Sequence, residues 1–363
     1  MNSLKLPLLQ AREAALETCA YCPKLCRAVC PVSGAEASET LTPWGKMGIA
    51  WYQARGSLEL SASYAATAWA CTGCMACTAH CDHRNPVGAT LLDARAESFA
   101  RGLAPEVVQR VVQDTPARDE RRQRALELLA RHPAVDSQAE QGLLLGCAYT
   151  SGDAEVSRAA LDILQQLGQQ VRLLTSCCGG IARAAGDAQQ STQELEQLRT
   201  EVGGAERLLV LDPGCMDTSP GGMRAGGAIT LVEFVARRLD ALRRLPELSG
   251  TQYRWHDPCK LGRGLGVYDE PRAILTKILG EAPQEFSRCR EEGVCSGAGE
   301  LLPLTMPAAS RHIADYRLAD HGALGGGTVV TGCASSLRRF RTCGAEAEDL
   351  IVLIARSLAS RTD

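Results

Sequence analysis

Apolar positions in the first hundred residues come in short, interrupted groups, and the clearest helical period there covers 47–55, just behind Pro43-Trp44-Gly45-Lys46. A longer helical pattern runs over 107–132, with a break expected at Pro116 and an end at Pro133. Its second part is dense in arginine (Arg118, Arg121, Arg122, Arg124), but acids such as Glu120 interleave, which describes a solvated helix face. Beyond it the pattern changes. Short apolar runs at 143–145, 171–174 and 208–211 alternate with helical stretches, and a second series follows at 253–256, around Val294, and at 328–331. Such alternation predicts an α/β region with a mostly parallel sheet. Helical segments at 235–239 and 354–358 close the two series. The longest apolar run, at 350–355, falls short of the roughly 18 residues that a membrane span requires. Lys5, Arg12 and Glu13 interrupt the first sixteen positions, so no secretory signal is expected there.

Composition sharpens this picture through one residue type. The chain of 363 residues holds 17 cysteines and 35 glycines, while aromatics fall to 4%. Lys and Arg number 39 against 42 Asp and Glu, so no global charge favours nucleic acid or an anionic membrane. An odd cysteine count without an export signal implies a reducing, cytoplasmic setting, in which clustered cysteines are metal ligands or reactive thiols.

The first eight form two four-cysteine runs, Cys19-x-x-Cys22-x-x-x-Cys26-x-x-x-Cys30-Pro31 and Cys71-x-x-Cys74-x-x-Cys77-x-x-x-Cys81. Three closely spaced thiolates can wrap one iron–sulfur cube, while the fourth points to a neighbouring one. Two [4Fe-4S] clusters follow, one on Cys19, Cys22, Cys26 and Cys81, the other on Cys71, Cys74, Cys77 and Cys30. Tetrahedral zinc also accepts Cys-x-x-Cys pairs, but two complete quartets exceed its need. Trp44 and Trp51 suit a core better than an electron relay, and His80 and His83 flank Cys81 as neighbours rather than ligands.

The remaining cysteines repeat. Cys177 and Cys295, Cys178 and Ser296, and Cys215 and Cys333 are each separated by 118 positions, which points to an internal duplication. Nearly all of them stand where a strand ends and a Gly- or Pro-bearing turn begins, where parallel α/β sheets bind ligands. Cys147, Cys177, Cys178 and Cys215 are expected in one pocket, and Cys259, Cys295 and Cys333 in another. The glycines of Gly262-Arg263-Gly264-Leu265-Gly266 do not follow a strand as a dinucleotide fingerprint must.

The two runs and their spacer resemble the α-helical ferredoxin domain of succinate dehydrogenase iron–sulfur subunits. The later cysteines, with His256-Asp257-Pro258-Cys259-Lys260-Leu261-Gly262-Arg263, resemble the CCG domain of heterodisulfide reductase subunits. Their order is similar to the glycolate oxidase iron–sulfur subunit, the anaerobic glycerol-3-phosphate dehydrogenase C subunit and the heterodisulfide reductase D subunit. The resemblance implies a mixed fold: an α-helical ferredoxin domain over 1–105, a helical linker over 106–140, and two tandem α/β CCG repeats over 141–246 and 247–363. It departs from the family in the three-residue gap between Cys22 and Cys26, in Asp82 after Cys81, and in Ser296, Thr218 and Ser336 at positions where disulfide-cleaving members keep cysteine. Repeat one therefore offers four thiols for a third cluster or a zinc ion, and repeat two offers three, short of a ligand unless water, serine or Cys289 supplies it.

The function implied is an electron-transfer subunit of an oxidoreductase, cytoplasmic or peripheral at the inner face of the membrane. It would receive electrons from a flavoprotein dehydrogenase of the 2-hydroxy-acid type and send them toward a quinone or a membrane-anchored partner, with no role for nucleic acid. A thiol/disulfide reductase acting at a CCG-bound cluster is the alternative. His256 is a candidate proton donor or a turn-holding residue, and Arg338, Arg339 and Arg341 are candidates for docking an acidic partner or for a solvated face.

Overall fold

The computed structural model describes residues 4–203, 207–217, 223–224 and 226–359. The chain forms two compact units. The first comprises Met1–Asp114, Ile181–Ser191 and Glu291–Ala319, and the second comprises Thr115–Gly180, Thr192–Arg290 and Asp320–Asp363.

The described part of the first unit is helical. Its central helix, Pro43–Arg55, starts four residues before the apolar period because Thr42 caps it, accepting from the Gly45 N–H at 2.9 Å, and Pro43 needs no N–H in the first turn. Gly56, with φ of 71°, ends it. Met47, Trp51 and Ala54 pack with Leu9, Leu16, Trp69, Leu91 and Val108 into one core. Trp51 is thus a core residue, and Trp44 carries the Lys24 ammonium over its ring at 4.2 Å. The arginine-rich region is two helices, Glu106–Gln113 and Thr115–Leu129. The break falls at Asp114 rather than at Pro116, since proline is well tolerated in the opening turn of a helix.

The second unit contains two four-stranded sheets, both wholly parallel. Strands β1 (Gln141–Leu144), β2 (Arg172–Leu173), β3 (Arg207–Val210) and β4 (Ile229–Thr230) are arranged β2-β1-β3-β4. Strands β5 (Tyr253–Trp255), β6 (Gln284–Glu285), β7 (Thr328–Thr331) and β8 (Ala347–Asp349) are arranged β6-β5-β7-β8. The topologies are identical, as a duplication requires. In the first sheet Leu143 stands opposite both Leu173 and Leu209, and the central strands are apolar on both faces.

Two features depart from the apolar pattern. Val294 lies in a loop, and the corresponding strand is β6, a polar pair held by ladder hydrogen bonds to β5. The outer strands β4 and β8 lie outside the apolar runs that mark most of the other strands. The closing helices are Leu231–Ala236, opened by a reciprocal Thr230–Glu233 capping box, and Leu350–Ala359.

The repeats are joined by helix packing and by polar contacts. Ala154–Gln166 packs on Leu350–Ala359, and Leu231–Ala236 on Asp269–Leu279. Arg338 donates to the Ala148 carbonyl at 3.1 Å, and Arg341 lies 3.5 Å from Asp153. Tyr149 Oη donates to Asp349 Oδ2 at 2.8 Å, and the Ile351 N–H donates to Asp349 Oδ1 at 3.0 Å. Burial pushes the Asp349 carboxyl up to about 7 against the pull of these donors, with Asp153 adding to the rise and Arg341 opposing it.

A carboxyl raised on folding binds its proton more tightly in the native state, so its contribution is present below the unfolded value near 4 and is lost as pH rises through about 7. Asp349→Asn should therefore gain on the wild type between pH 5 and pH 8, by at most about 1.4 kcal/mol per pH unit. Urea unfolding at the two pH values measures this. A difference between the two proteins that does not change with pH would mean that Asp349 ionises normally.

Candidate metal centres

The two cysteine runs of the first unit interlace. Cys30, from the end of the first run, lines one cavity with Cys71, Cys74 and Cys77 of the second, together with Lys46, Thr72 and Met75. Cys81, from the end of the second run, stands close enough to Cys19 for its charge to be felt there, as do Cys22 and Cys26. Burial, followed by Cys26 and the other two thiols, pushes Cys19 up to about 12, while the Asn85 side chain, donating to Cys19 Sγ at 2.9 Å, pulls the other way. Burial also raises Cys71 and Cys77, which Lys46 opposes in both. Such thiols resist ionising in bare protein; iron binding would hold them as thiolates.

Local backbone explains the spacing. The extra residue between Cys22 and Cys26 is absorbed at Lys24, which is left-handed with φ of 69°, leading into the Leu25–Val29 turn. The second run has a comparable left-handed residue, Met75, with φ of 60°. Arg95, 1% exposed, ties the entry to this run in place. It donates to the carbonyls of Ala68, Cys71 and Ala184, each at 3.0 Å, and pairs with Glu300 at 3.3 Å.

A sulfur-to-amide contact recurs at three sites. The amide two residues after a cysteine donates back to its sulfur in Cys71/Gly73 (3.4 Å), Cys177/Gly179 (3.5 Å) and Cys295/Gly297 (3.3 Å). All three glycines have positive φ, 62°, 79° and 80°, the conformation that turns the N–H toward Sγ and that other residues rarely adopt. Hydrogen bonds of this kind stabilise thiolates and tune the potentials of clusters bound to them.

In the second unit, Cys147, Cys177, Cys178 and Cys215 follow the ends of β1, β2 and β3 and line one pocket with Arg122, Gly146 and Ser176. Cys177 is drawn well below the usual thiol value, because the thiols of Cys147 and Cys178 donate to it and the Gly179 amide adds a third contact. Cys147 and Cys178, as donors, are raised. Cys178 also donates to Cys215, but burial and Asp212 leave Cys215 raised.

Cys259 and Cys333 follow β5 and β7, and Cys333 is pushed up to about 12 by burial, then by Asp212 and Cys259, against hydrogen bonds from Ser336. Ser336 thus replaces a ligand position with a donor to its neighbour, while Thr218 lies outside the described residues. Cys295 belongs to the helical unit.

Around Cys259 the chain is held by charge. Asp257 accepts from Trp255 Nε1 at 2.9 Å, from the Arg290 N–H at 2.7 Å and from both terminal nitrogens of Arg272 at 2.8 Å. The His256 ring is buried edge-on to Phe286 and Phe340, and its backbone N–H donates to the Val330 carbonyl at 2.8 Å. The glycine-rich Lys260–Gly264 segment forms a wide helical turn.

Lys46, Arg95 and Asn85 are absent from the sequence-based candidates, because single polar residues on helices or in loops leave no spacing signal. Among the described residues no three His, Cys, Asp or Glu side chains close on one point as ligands of a single ion do. A cluster requires a wider arrangement, with irons and sulfides between its thiolates. Replacing Arg95 with Met would strand three carbonyls and remove one partner of Glu300, so the metal-free protein should lose about 3–5 kcal/mol, with Lys recovering only part. A urea midpoint unchanged by Arg95→Met would show that the clamp carries no stability.

Comparison with known proteins agrees with this layout. A 4Fe-4S dicluster domain model matches residues 15–85, and a cysteine-rich domain (CCG) model matches 142–218 and again 253–338. The chain is 25% identical over 252 residues to the D subunit of the dihydromethanophenazine:CoB–CoM heterodisulfide reductase of Methanosarcina mazei, covering 63% of this chain and 61% of that one. It is 25% identical over 277 residues to the B subunit of the fumarate reductase (CoM/CoB) of Methanothermobacter marburgensis, covering 73% and 55%. It is 27% identical over 263 residues to EtfAB:quinone oxidoreductase of Syntrophomonas wolfei, covering 64% and 36%. The chain thus spans between about a third and three fifths of these relatives. With interlaced cysteine runs preceding two parallel-sheet repeats that carry cysteines at their strand ends, the chain belongs to the CCG-domain iron–sulfur family.

Proposed function

We propose that this chain is an iron–sulfur electron-transfer subunit that accepts electrons from a flavoprotein dehydrogenase of the 2-hydroxy-acid type and passes them toward a quinone. The observation that carries the reading is the cavity on which Cys30 meets Cys71, Cys74 and Cys77, a donor set drawn from two distant runs. In this reading those four hold one [4Fe-4S] cluster, and Cys19, Cys22, Cys26 and Cys81 hold another. Bound there, the clusters supply one-electron transfer at potentials set by charge, burial and hydrogen bonds. Cys147, Cys177, Cys178 and Cys215 are assigned a third cluster, whose wider ligand arrangement suits the pocket better than a single zinc ion. Cys259 and Cys333 are an incomplete set.

The Gly262-to-Gly266 stretch lacks the strand–turn–helix context of a dinucleotide site, so hydride chemistry is assigned to the partner. Among the described residues no helix is long and apolar enough to cross a membrane, and the reading places the chain at the inner membrane face through a membrane-anchored partner. The quinone-linked name of the Syntrophomonas relative supports the acceptor class.

Iron and acid-labile sulfide in anaerobically purified protein, with EPR of the reduced sample and of Cys147→Ser, test this. About eight irons unchanged by the substitution assign electron carrying to the ferredoxin part alone; about twelve, with one signal lost, add repeat one to the path. A chain that stays colourless after anaerobic reconstitution with iron and sulfide would overturn the proposal.

A second reading rests on Cys177, whose thiolate is favoured by two thiol donors. Such a group suits attack on a disulfide. Under it, Cys177→Ser abolishes reduction of a small disulfide by the reduced protein; under the first, the substitution affects electron delivery to a quinone only.

A further inference from the structure

We infer that Lys46 places a fixed positive charge against the centre held by Cys30, Cys71, Cys74 and Cys77, making it the higher-potential member of the pair and the site where the first electron rests. The inference depends on the two-cluster reading above and goes beyond it by ordering the two centres.

Lys46 lies in the first turns of the Pro43–Arg55 helix and is 2% exposed. Its Nζ donates to the Ala70 carbonyl at 2.6 Å and stands 4.0 Å from Cys30 Sγ, on the wall of the four-cysteine cavity. One carbonyl satisfies one of three ammonium protons. Among the described residues no carboxylate bridges to it, and a buried ammonium with so little compensation is costly. Neutral methionine would fill the same space without that cost.

The cavity itself supplies what Lys46 lacks. A cube held by four thiolates is a dianion when oxidised and a trianion when reduced, so a cation at its edge is stabilised by the cluster and favours the reduced form more.

Other cations near these centres are already matched. Arg95, which also favours the Cys71 thiolate, is paired with Glu300. Around the Cys19 quartet, Lys24 and Arg27 are largely exposed and both face Glu39, and Arg84 pairs with Glu291. The buried side-chain donor there is the neutral Asn85 amide, joined by backbone donors to Cys26. One centre therefore has a buried cation with no carboxylate partner among the described residues and the other only neutral buried donors, an asymmetry that lowers the energy of an added electron at the first.

The test is an anaerobic redox titration followed by EPR on the full chain, reconstituted with iron and sulfide, for wild type, Lys46→Met and Lys46→Arg, each with its iron content measured. At the potential where the higher-potential wild-type signal is half reduced, Lys46→Met should show a reduced-to-oxidised ratio about tenfold lower, equivalent to a shift of about 59 mV for one electron. The other signal should stay in place, and Lys46→Arg should return the ratio to within about threefold of wild type.

If Lys46→Met loses iron, Lys46→Gln, which keeps a donor for Ala70 without the charge, should show the same tenfold change. Full iron content with neither signal moved in the neutral variants, or movement of the lower-potential signal instead, would overturn the inference. A wild-type chain that binds no iron would instead defeat the two-cluster reading beneath it.

Discussion

Negative charge crowded into buried space is the constraint that the rest of this structure answers. Four sulfurs line one cavity, and in the proposed cluster-bound form each is a thiolate removed from water. The chain meets this in three ways visible at the Cys30 centre: a backbone amide turned back on sulfur at Gly73, a guanidinium clamping the carbonyls of Ala68 and Cys71, and an ammonium at Lys46. Each needs a particular local backbone. Gly73 needs positive φ, Arg95 needs the long Val87–Ala100 helix to carry it inward, and Lys46 needs a helix that begins at Pro43 rather than at Met47. Helix starts and glycine positions are thus placed by the chemistry of the cavity as much as by the core.

The two repeats show the same scaffold under different demands. Identical strand order brings cysteines to matching strand ends, yet repeat one gathers four thiols into a network of sulfur hydrogen bonds, while in repeat two Ser336 takes a ligand position and donates to Cys333 instead. A hydroxyl in that place holds the turn through hydrogen bonding where a thiol would offer a metal bond. Around Cys259, the Asp257–Arg272 pairing with Trp255 and Arg290 does the holding. A buried pair of this kind is weak evidence for net stability; its several hydrogen bonds fix the backbone beside Cys259.

Parts of the site were legible because the signal is local. Cysteines two or three residues apart announce shared ligation whatever the surrounding fold, and an offset of 118 positions repeated at three places announces duplication. Central strands such as β1, β3 and β7 are legible as apolar runs since both of their faces are covered. The polar pair β6, by contrast, is made a strand by its hydrogen bonds to β5, and no pattern of its own marks it; the apolar Val294 drew the expectation to a loop instead. Pro116 misled in a similar way, being read as a stop where the helix accepts it in its opening turn.

What the sequence determined by itself was therefore the cysteine inventory, its grouping into runs and repeats, and the α-helical and α/β character of the two regions, all of which follow from spacing along the chain. Only the tertiary structure decided which uncharged and charged groups surround each set of sulfurs. Lys46, Asn85 and Arg95 are ordinary helix and loop residues by sequence, and they acquire their roles because packing brings them beside cysteines 16, 66 and 24 positions away. Electrostatic influence depends on distance and burial through space, and neither quantity is written in the order of residues.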